Sequence, residues 1–211
     1  MSFSLFQTRL QADTPQHTFY FVRHGESDGN IMGGLCPANN DFPLTPNGEA
    51  EATRAGNYFV HEGIKVDAVY ASPLERAHDT ARAIADSTQA PLFVLPDLIE
   101  RNWGVLGTAT WQDVNAQLSR LSLEERYAYV PEGGESWADM EARLFKTLDD
   151  IANAYDSAST IVIVMHNGCL RAVLSALAKN KSGHEEYSVA TGSITKFVFN
   201  NATFDFVDLP A

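Results

Sequence analysis

The sequence predicts a single α/β domain, a three-layer α/β/α sandwich around a mostly parallel central sheet. Apolar β-like runs alternate with segments whose apolar residues recur at helical spacing, as in chains that wind helices around a parallel sheet. The run 160–165 holds so many β-branched residues that it is typical of a strand buried on both faces. No linker, repeat or low-complexity tract divides the 211 residues, which suffice for one well-buried core.

The predicted strands are short apolar runs bounded by turn residues. β-branched and aromatic residues dominate most of them, as expected for segments that pack within a sheet. In chain order, the strands cover about 18–23, 66–71, 92–95, 160–165, 194–199 and 204–207. The last two lie close together in sequence, so we expect them to close the sheet as a pair.

Capping residues mark where the predicted helices begin. Thr45 and Pro46 are typical of an N-cap and a first helical position. Ser72-Pro73-Leu74-Glu75 has the S-x-x-E spacing of a capping box, and Ser136 precedes a long amphipathic stripe. The predicted helices cover 46–63, 73–87, 111–118, 122–128, a long segment after residue 136, and a segment ending near residue 178.

Composition and charge exclude several classes of partner. The chain has 27 acidic and 15 basic residues, and its net charge of −12 repels nucleic acid and anionic lipid. No apolar stretch approaches the roughly 20 residues of a membrane span, and polar residues interrupt any signal-peptide core near the N-terminus. Cys36 and Cys169 are too few for a disulfide scaffold. We therefore expect a cytoplasmic protein with no nucleic-acid or membrane partner.

Reactive side chains follow three predicted strands where each strand ends. Arg23 and His24 come directly after the first strand, and His166 follows the run 160–165. Arg76 falls in the first turn of the helix after the second strand, where free N–H groups favour an anion. Ligands of open parallel sheets bind beyond the carboxyl ends of the strands. The two histidines and two arginines are thus expected to surround one anion, and phosphate matches them best.

Each of these residues also has a simpler interpretation when taken alone. A histidine at a strand end is commonly a hydrogen-bonded structural residue, and an arginine in a first helical turn is usually a surface charge. The second occurrence of a strand, a histidine and a turn favours a functional site over coincidence. Because no Asp, His or Cys cluster has metal-ligand spacing, no metal or other cofactor is expected.

An ordered set of short motifs extends from about residue 18 to residue 200. In chain order, the motifs are Arg23-His24-Gly25-Glu26-Ser27 with Asn30, Pro43-Leu44-Thr45, Ser72 to Ala77 with Thr80-Ala81, Glu100 ahead of Trp103-Gly104, Gly133-Gly134-Glu135-Ser136, His166, and Leu170-Arg171-Ala172. In this order the set resembles the histidine phosphatase superfamily, in its phosphoglycerate-mutase-like branch. The resemblance implies one domain over residues 1–211, with a small helical insertion at about 105–135 over the active site.

The resemblance implies a mechanism that the chemistry of the residues also supports. His24 would attack phosphorus as a neutral imidazole and form a phosphohistidine, while its other ring nitrogen donates to a backbone carbonyl. Arg23, Arg76 and His166 would hold the phosphoryl oxygens. Glu100 would protonate the departing alkoxide and then accept a proton from water.

Three further residues are expected to bind substrate. Asn30 is predicted to contact the phosphate. Asn167 follows the second histidine, where the family often has glycine, and asparagine is the residue that best tolerates a left-handed turn in its place. Trp103 is predicted to line the leaving-group side, with packing beneath the insertion as an open alternative. The family pattern after Trp103-Gly104 also lacks an acidic residue here, which leaves the substrate open.

The expected function is a metal-independent phosphomonoester hydrolase acting on a small phosphorylated metabolite. A phosphoglycerate mutase is one alternative, but family mutases have a longer segment with paired arginines between the acid and the second histidine. Here the arginines of that segment are never adjacent; they are Arg101, Arg120, Arg126 and Arg143. A catalytically inactive phosphate- or protein-binding module is the alternative from another class. The physiological substrate and the oligomeric state stay open.

Overall fold

Six strands form one sheet in the computed structural model, which describes residues 15–32, 40–177, 187, 189–200 and 203–207. The strands are β1 (Thr18–Arg23), β2 (Ala68–Ala71), β3 (Leu92–Val94), β4 (Thr160–Met165), β5 (Ile194–Asn200) and β6 (Thr203–Val207). Their order across the sheet is β3-β2-β4-β1-β5-β6. The first four are mutually parallel, whereas β5 runs antiparallel to β1 and β6 antiparallel to β5. The mostly parallel sheet with a closing strand pair is confirmed.

Helices connect these strands and cover the sheet. They are α1 (Asp28–Ile31), α2 (Pro46–His61), α3 (Glu75–Thr88), α4 (Trp111–Leu118), α5 (Leu123–Ala128), α6 (Trp137–Ala152) and α7 (Asn167–Leu177), with 3₁₀ turns at Pro96–Leu98 and Gly104–Thr108. Both predicted short helices of the 105–135 segment are present as α4 and α5. In the described part of the chain, no helix combines the length and the apolar character that crossing a bilayer demands.

Side chains of the buried strands alternate between the two faces of the sheet and so create two separate cores. On one face, Phe19 and Phe21 of β1 pack with apolar residues of α6 and α7. On the other face, Tyr20 and Val22 pack with α2 and α3, where Phe59 is fully buried. This period-two pattern places one layer of helices on each face of the sheet. The three-layer prediction is confirmed.

Several predicted boundaries were wrong by a few residues. β2 begins at Ala68 rather than at residue 66, β3 ends at Val94, and α2 ends at His61. The segment between β1 and α2 contains the short helix α1, whose start Ser27 and Asn30 stabilise with a capping box. Cys169 is fully buried in α7, whereas Cys36 lies outside the described residues.

The capping box predicted at Ser72 was wrong. Helix α3 begins at Glu75 with Leu74 as its N-cap, and no side chain of the N-cap accepts a hydrogen bond there. The N–H of Glu75 instead donates to both carboxylate oxygens of Asp41, at 3.0 and 2.9 Å. An acidic side chain from a distant loop therefore caps this helix, and the Ser72 hydroxyl is available for another partner.

Candidate active site

The register of the parallel strands brings the two predicted histidines together. Arg23, the last residue of β1, pairs with Met165, the last residue of β4, so His24 and His166 leave neighbouring strands at the same level. The His24 N–H donates to the Met165 carbonyl at 3.0 Å. The two imidazole rings lie with their centroids 5.1 Å apart, and both are almost completely buried.

The His24 ring is held in one tautomer by its own turn. Nδ1 lies 2.7 Å from the carbonyl oxygen of Gly25, an acceptor, so the proton of the neutral ring sits on Nδ1 and Nε2 keeps its lone pair. Burial, together with the positive charges of Arg76 and Arg23, lowers the pKa of His24 well below 6.5. At neutral pH this residue is thus a neutral imidazole with a free lone pair on Nε2.

The turn that carries His24 is fixed against α2 and α3. The Gly25 N–H donates to Thr80 Oγ1 at 3.0 Å, and the Thr80 hydroxyl donates to the Arg76 carbonyl at 2.7 Å. A β-carbon at Gly25 would collide with the backbone of Gly48, at the start of α2, so only glycine permits this approach. His24, the candidate nucleophile, therefore lies on a turn that these contacts hold rigidly.

Arg76 is completely buried and lies close to both histidines. After burial itself, its charge is the largest contribution that lowers the pKa of both His24 and His166. Its Nη1 donates to the Asn40 carbonyl at 3.2 Å and lies 3.6 Å from Asp41 Oδ1. Asp41 is thus the anion that offsets the unfavourable position of a cation at a helix N-terminus.

Arg23 is half-buried at the end of β1 beside the same cluster. Its Nη1 donates to the carbonyl of Val189, which anchors the side chain to the segment before β5. Its charge also lowers the pKa of His24, after burial and Arg76, and makes the smallest contribution to the lowered pKa of His166. The structure therefore brings Arg23, Arg76 and the two histidines to one edge of the sheet.

Ser72 is a site residue that sequence reasoning did not place in the site. It follows β2, the neighbour of β4, and its Oγ lies 2.7 Å from Nε2 of His166. The same oxygen accepts from the Leu74 N–H at 3.3 Å. Ser72 therefore orients the second imidazole, and its position one residue beyond a strand next to β4 was the signal available in the sequence.

Glu100 lies in the loop after the 3₁₀ turn Pro96–Leu98 and contacts the start of α7. Its Oε2 accepts from the Gly168 N–H at 3.0 Å, and its Oε1 accepts from the Arg101 N–H at 2.8 Å. A β-carbon at Gly168 would collide with the Glu100 carboxylate. Gly168 is two residues beyond His166, so the Glu100 carboxylate is bound at the start of the helix that follows the second histidine.

The two predicted asparagines lie in helices, Asn30 within α1 and Asn167 at the start of α7, and the left-handed backbone expected at Asn167 was wrong. Asn30 Oδ1 accepts from the backbone N–H and from the hydroxyl of Ser27, both at 3.0 Å, which leaves the amide N–H₂ as the available donor. Asn167 is the first residue of α7, and its buried Oδ1 has no partner among the described residues. Contact of either residue with substrate remains a prediction.

Trp103 is not part of the histidine cluster. It is only 5% exposed and belongs to the core beneath the insertion. Its ring lies 3.9 Å from the Arg101 guanidinium and makes edge contacts with Trp111 and Trp137. The structure thus places Trp103 as the packing alternative describes, and contact of its ring with a substrate stays a prediction.

The cations that the structure shows beside the two histidines are the guanidinium groups of Arg76 and Arg23. Among the described residues, no group of three or more His, Cys, Asp and Glu side chains could hold a metal. The side-chain groups next to the histidines are the guanidinium groups of Arg76 and Arg23 and the Ser72 hydroxyl, which are donors that suit phosphate oxygens.

Comparison with known proteins identifies the family of this chain. The model of the histidine phosphatase superfamily, branch 1, matches residues 19–210. The chain belongs to this superfamily. It is 31% identical over 194 residues to the 2,3-bisphosphoglycerate-dependent phosphoglycerate mutase of Bartonella henselae, which covers 88% of this chain and 94% of that protein.

Solved structures with the same fold include two phosphatases. The α-ribazole phosphatase of Shigella flexneri superposes with a TM-score of 0.78 at 23% identity, over 92% of this chain and 96% of that chain. The phosphoserine phosphatase of Entamoeba histolytica, in complex with 3-phosphoglyceric acid, superposes with a TM-score of 0.78 at 22% identity, over 91% and 95%. At these sequence identities, the structural similarity is evidence for a shared fold only.

Replacing Ser72 by Ala should weaken this superfamily member's site without unfolding it. The His166 ring would lose the hydroxyl that orients it, and we expect kcat/KM for a phosphomonoester to fall by about 10- to 100-fold, as for other small misplacements. Ser87→Ala is the matched control, because that hydroxyl bonds only within α3, to Ala83. Equal activity of the two variants would show that Ser72 does not orient His166.

The buried histidines should make stability fall as the medium becomes acidic. Burial and nearby cations lower the pKa of His166 well below 6.5, whereas the unfolded ring binds a proton near pH 6.5. Below that pH the unfolded chain binds more protons than the folded one, so the unfolding free energy decreases from pH 6.5 towards the folded-state pKa. Urea titrations should show a shallower decrease for His166→Gln, and an unchanged one for the exposed control His61→Gln.

Proposed function

We propose that this chain is a metal-independent phosphomonoester hydrolase of the cytoplasm that acts on a small phosphorylated metabolite through a phosphohistidine at His24. The observation that supports this most is the pairing of His24 with His166 next to the buried Arg76. A neutral ring with its lone pair on Nε2, surrounded by fixed cations, is suited to attack an anionic phosphorus centre.

The proposed reaction has two steps that use the same residues. In the first, His24 Nε2 forms a bond to phosphorus while the ester P–O bond breaks, and Glu100 protonates the leaving alkoxide. Arg23, Arg76 and His166 stabilise the charge on the equatorial oxygens. In the second, water attacks the phosphohistidine, Glu100 accepts its proton, and inorganic phosphate and the free imidazole are regenerated.

The tautomers of the two histidines fit these different roles. Ser72 can donate its hydroxyl proton to Nε2 of His166, which then carries its own proton on Nδ1. That Nδ1 is buried and has no partner among the described residues. In the proposal, Nδ1–H donates to a phosphoryl oxygen, whereas His24 presents a lone pair to phosphorus.

A phosphoglycerate mutase is the second candidate, and the 31% identity to the Bartonella henselae mutase favours it. A mutase must bind a second anionic group of its substrate. In the described part of the chain, Arg101 and Arg143 are engaged with protein groups, and Arg126 donates to the Leu121 carbonyl. Arg120 is exposed on the solvent side of the insertion segment. The arrangement of these arginines supports water rather than a second phosphate as the acceptor.

His24→Ala is the direct test of the nucleophile. We expect it to abolish both turnover of a chromogenic phosphomonoester in the presence of EDTA and the acid-labile phosphoenzyme, because only His24 presents a lone pair to phosphorus. His61→Ala, at an exposed histidine, should keep both. Labelling that survives in His24→Ala would point to another nucleophile, and a wild-type chain without turnover would support the inactive binding module.

The choice between hydrolase and mutase is tested with 3-phosphoglycerate as substrate. With and without 2,3-bisphosphoglycerate, we expect release of inorganic phosphate to exceed formation of 2-phosphoglycerate, because Arg101, Arg126 and Arg143 are already engaged with protein groups in the described segment between Glu100 and His166. Phosphate is measured colorimetrically and 2-phosphoglycerate by an enolase-coupled assay. Rapid isomerisation with little phosphate release would establish the mutase instead, and a wider panel of metabolite phosphates would then define selectivity.

A further inference from the structure

Arg143 and Glu135 form an ion pair directly behind the loop that carries Glu100. Nε of Arg143 donates to Oε2 of Glu135 at 2.9 Å, and Nη2 donates to Oε1 at 2.7 Å, which is the two-bond fork of a strong pair. The side chains are only 17% and 18% exposed, so solvent and salt screen the pair weakly. The pair is therefore a rigid unit at the base of α6.

The other side-chain hydrogen bonds of Arg143 and Glu135 are made with backbone groups on either side of Glu100 and at Glu100 itself. Nη1 of Arg143 donates to the Asp97 carbonyl at 2.7 Å, and Nη2 donates to the Glu100 carbonyl at 3.3 Å. Oε1 of Glu135 accepts from the Asn102 N–H at 2.9 Å. The loop 99–103 belongs to no helix or strand, so its backbone has no regular pattern of main-chain hydrogen bonds. The bonds to Arg143 and Glu135 fix this backbone instead.

The Glu100 carboxylate has little freedom to move on its other side. The Gly168 N–H donates to Oε2, and the same glycine leaves no room for a β-carbon beside the carboxylate. The main chain of Glu100 is thus held from α6 and its side chain from α7. A displacement of the loop would draw the carboxylate away from α7 and hence from His166.

We propose that the Arg143–Glu135 pair is a positioning device that holds Glu100 where the leaving oxygen departs. This inference rests on the proposed role of Glu100 as the general acid. Neither member of the pair contacts substrate in the proposal; both act through the backbone of residues 97–102. Proton donation matters most for poor leaving groups, so the device should affect alkyl phosphates and leave activated aryl phosphates nearly unchanged.

Arg143→Met tests the proposal through its dependence on the leaving group. We expect kcat/KM for a simple alkyl phosphate to fall by about 10- to 100-fold, part of the roughly 10²- to 10⁴-fold that general acid catalysis supplies. For p-nitrophenyl phosphate, whose leaving group departs without a proton, we expect a loss below about 3-fold on the same principle. The ratio of kcat/KM for the two substrates reports protonation of the leaving group. A loss of folded protein would lower both values equally and leave this ratio unchanged.

Two further variants and one control complete the experiment. Lys146→Met removes an exposed cation from the same helix, where it pairs with Asp150, and should leave both substrates unaffected. Glu135→Gln retains the shape of the pair but weakens it, and it gives the same selectivity measurement should Arg143→Met not fold. Thermal unfolding verifies that each variant is folded before kinetics are measured.

The double variant with Glu100→Gln separates positioning from a merely structural effect. Once Glu100 cannot donate a proton, Arg143→Met should add less than about 3-fold to the loss on the alkyl phosphate, because coupled residues are not additive. Additive losses, or equal losses on aryl and alkyl substrates, would overturn the positioning role while hydrolysis through His24 stands. Equal losses in Glu100→Gln alone would instead disprove the general acid, and this proposal with it.

Discussion

Complete burial of Arg76 is the constraint on which this site depends. A guanidinium removed from water is stable only where acceptors replace its hydration, and the Asn40 carbonyl and the Asp41 carboxylate provide part of that replacement. Burial first, and then this charge, lowers the pKa of His24 and of His166, so both imidazoles are neutral at pH 7. A buried cation and two neutral rings leave the site short of negative charge, which a phosphoryl group would supply. An anionic ligand can therefore bind despite the net charge of −12, because the guanidinium groups of Arg23 and Arg76 attract anions to the edge of the sheet where the histidines lie.

The site also requires glycine at positions 25 and 168, where other groups approach the backbone closely. Gly25 allows the turn after β1 to touch the start of α2, and Gly168 allows the Glu100 carboxylate to reach the N–H groups of α7. A side chain at either position would separate elements that the proposed chemistry needs within a few ångströms of each other. The close approach of the Gly48 backbone to Gly25, and of the Glu100 carboxylate to Gly168, provides the preorganisation that electrostatic stabilisation of a transition state demands.

The sequence was sufficient to predict the sheet and the histidine pair, because both follow from short-range patterns. A strand–histidine–turn unit at the ends of two parallel strands leaves only one edge at which the rings can lie. The role of Ser72 was missed because an S-x-x-E spacing fits a capping box equally well, and spacing alone does not show that the hydroxyl faces His166. Asp41 was missed for a related reason: it caps α3 from 34 residues away, and sequence reasoning on caps considers only neighbours. The burial of Trp103 depends on contacts with Arg101 and Trp137, which no local pattern contains.

The base of the insertion is joined by backbone contacts and hydrogen bonds to the loop that carries Glu100. Gly104 and Gly134 bring the two ends of the insertion into backbone contact, where a β-carbon on Gly104 would collide with the Glu132 carbonyl. Gly104 also adopts a φ of 52°, which disfavours other residues at this position. Directly beyond this junction, Glu135 bonds both the N–H and the carbonyl of Asn102, two residues after Glu100. The insertion is thus anchored to the loop that carries the residue proposed to protonate the leaving group. A shift of the insertion would be transmitted to Glu100 through these same bonds, so the geometry of the proposed acid depends on how the insertion packs.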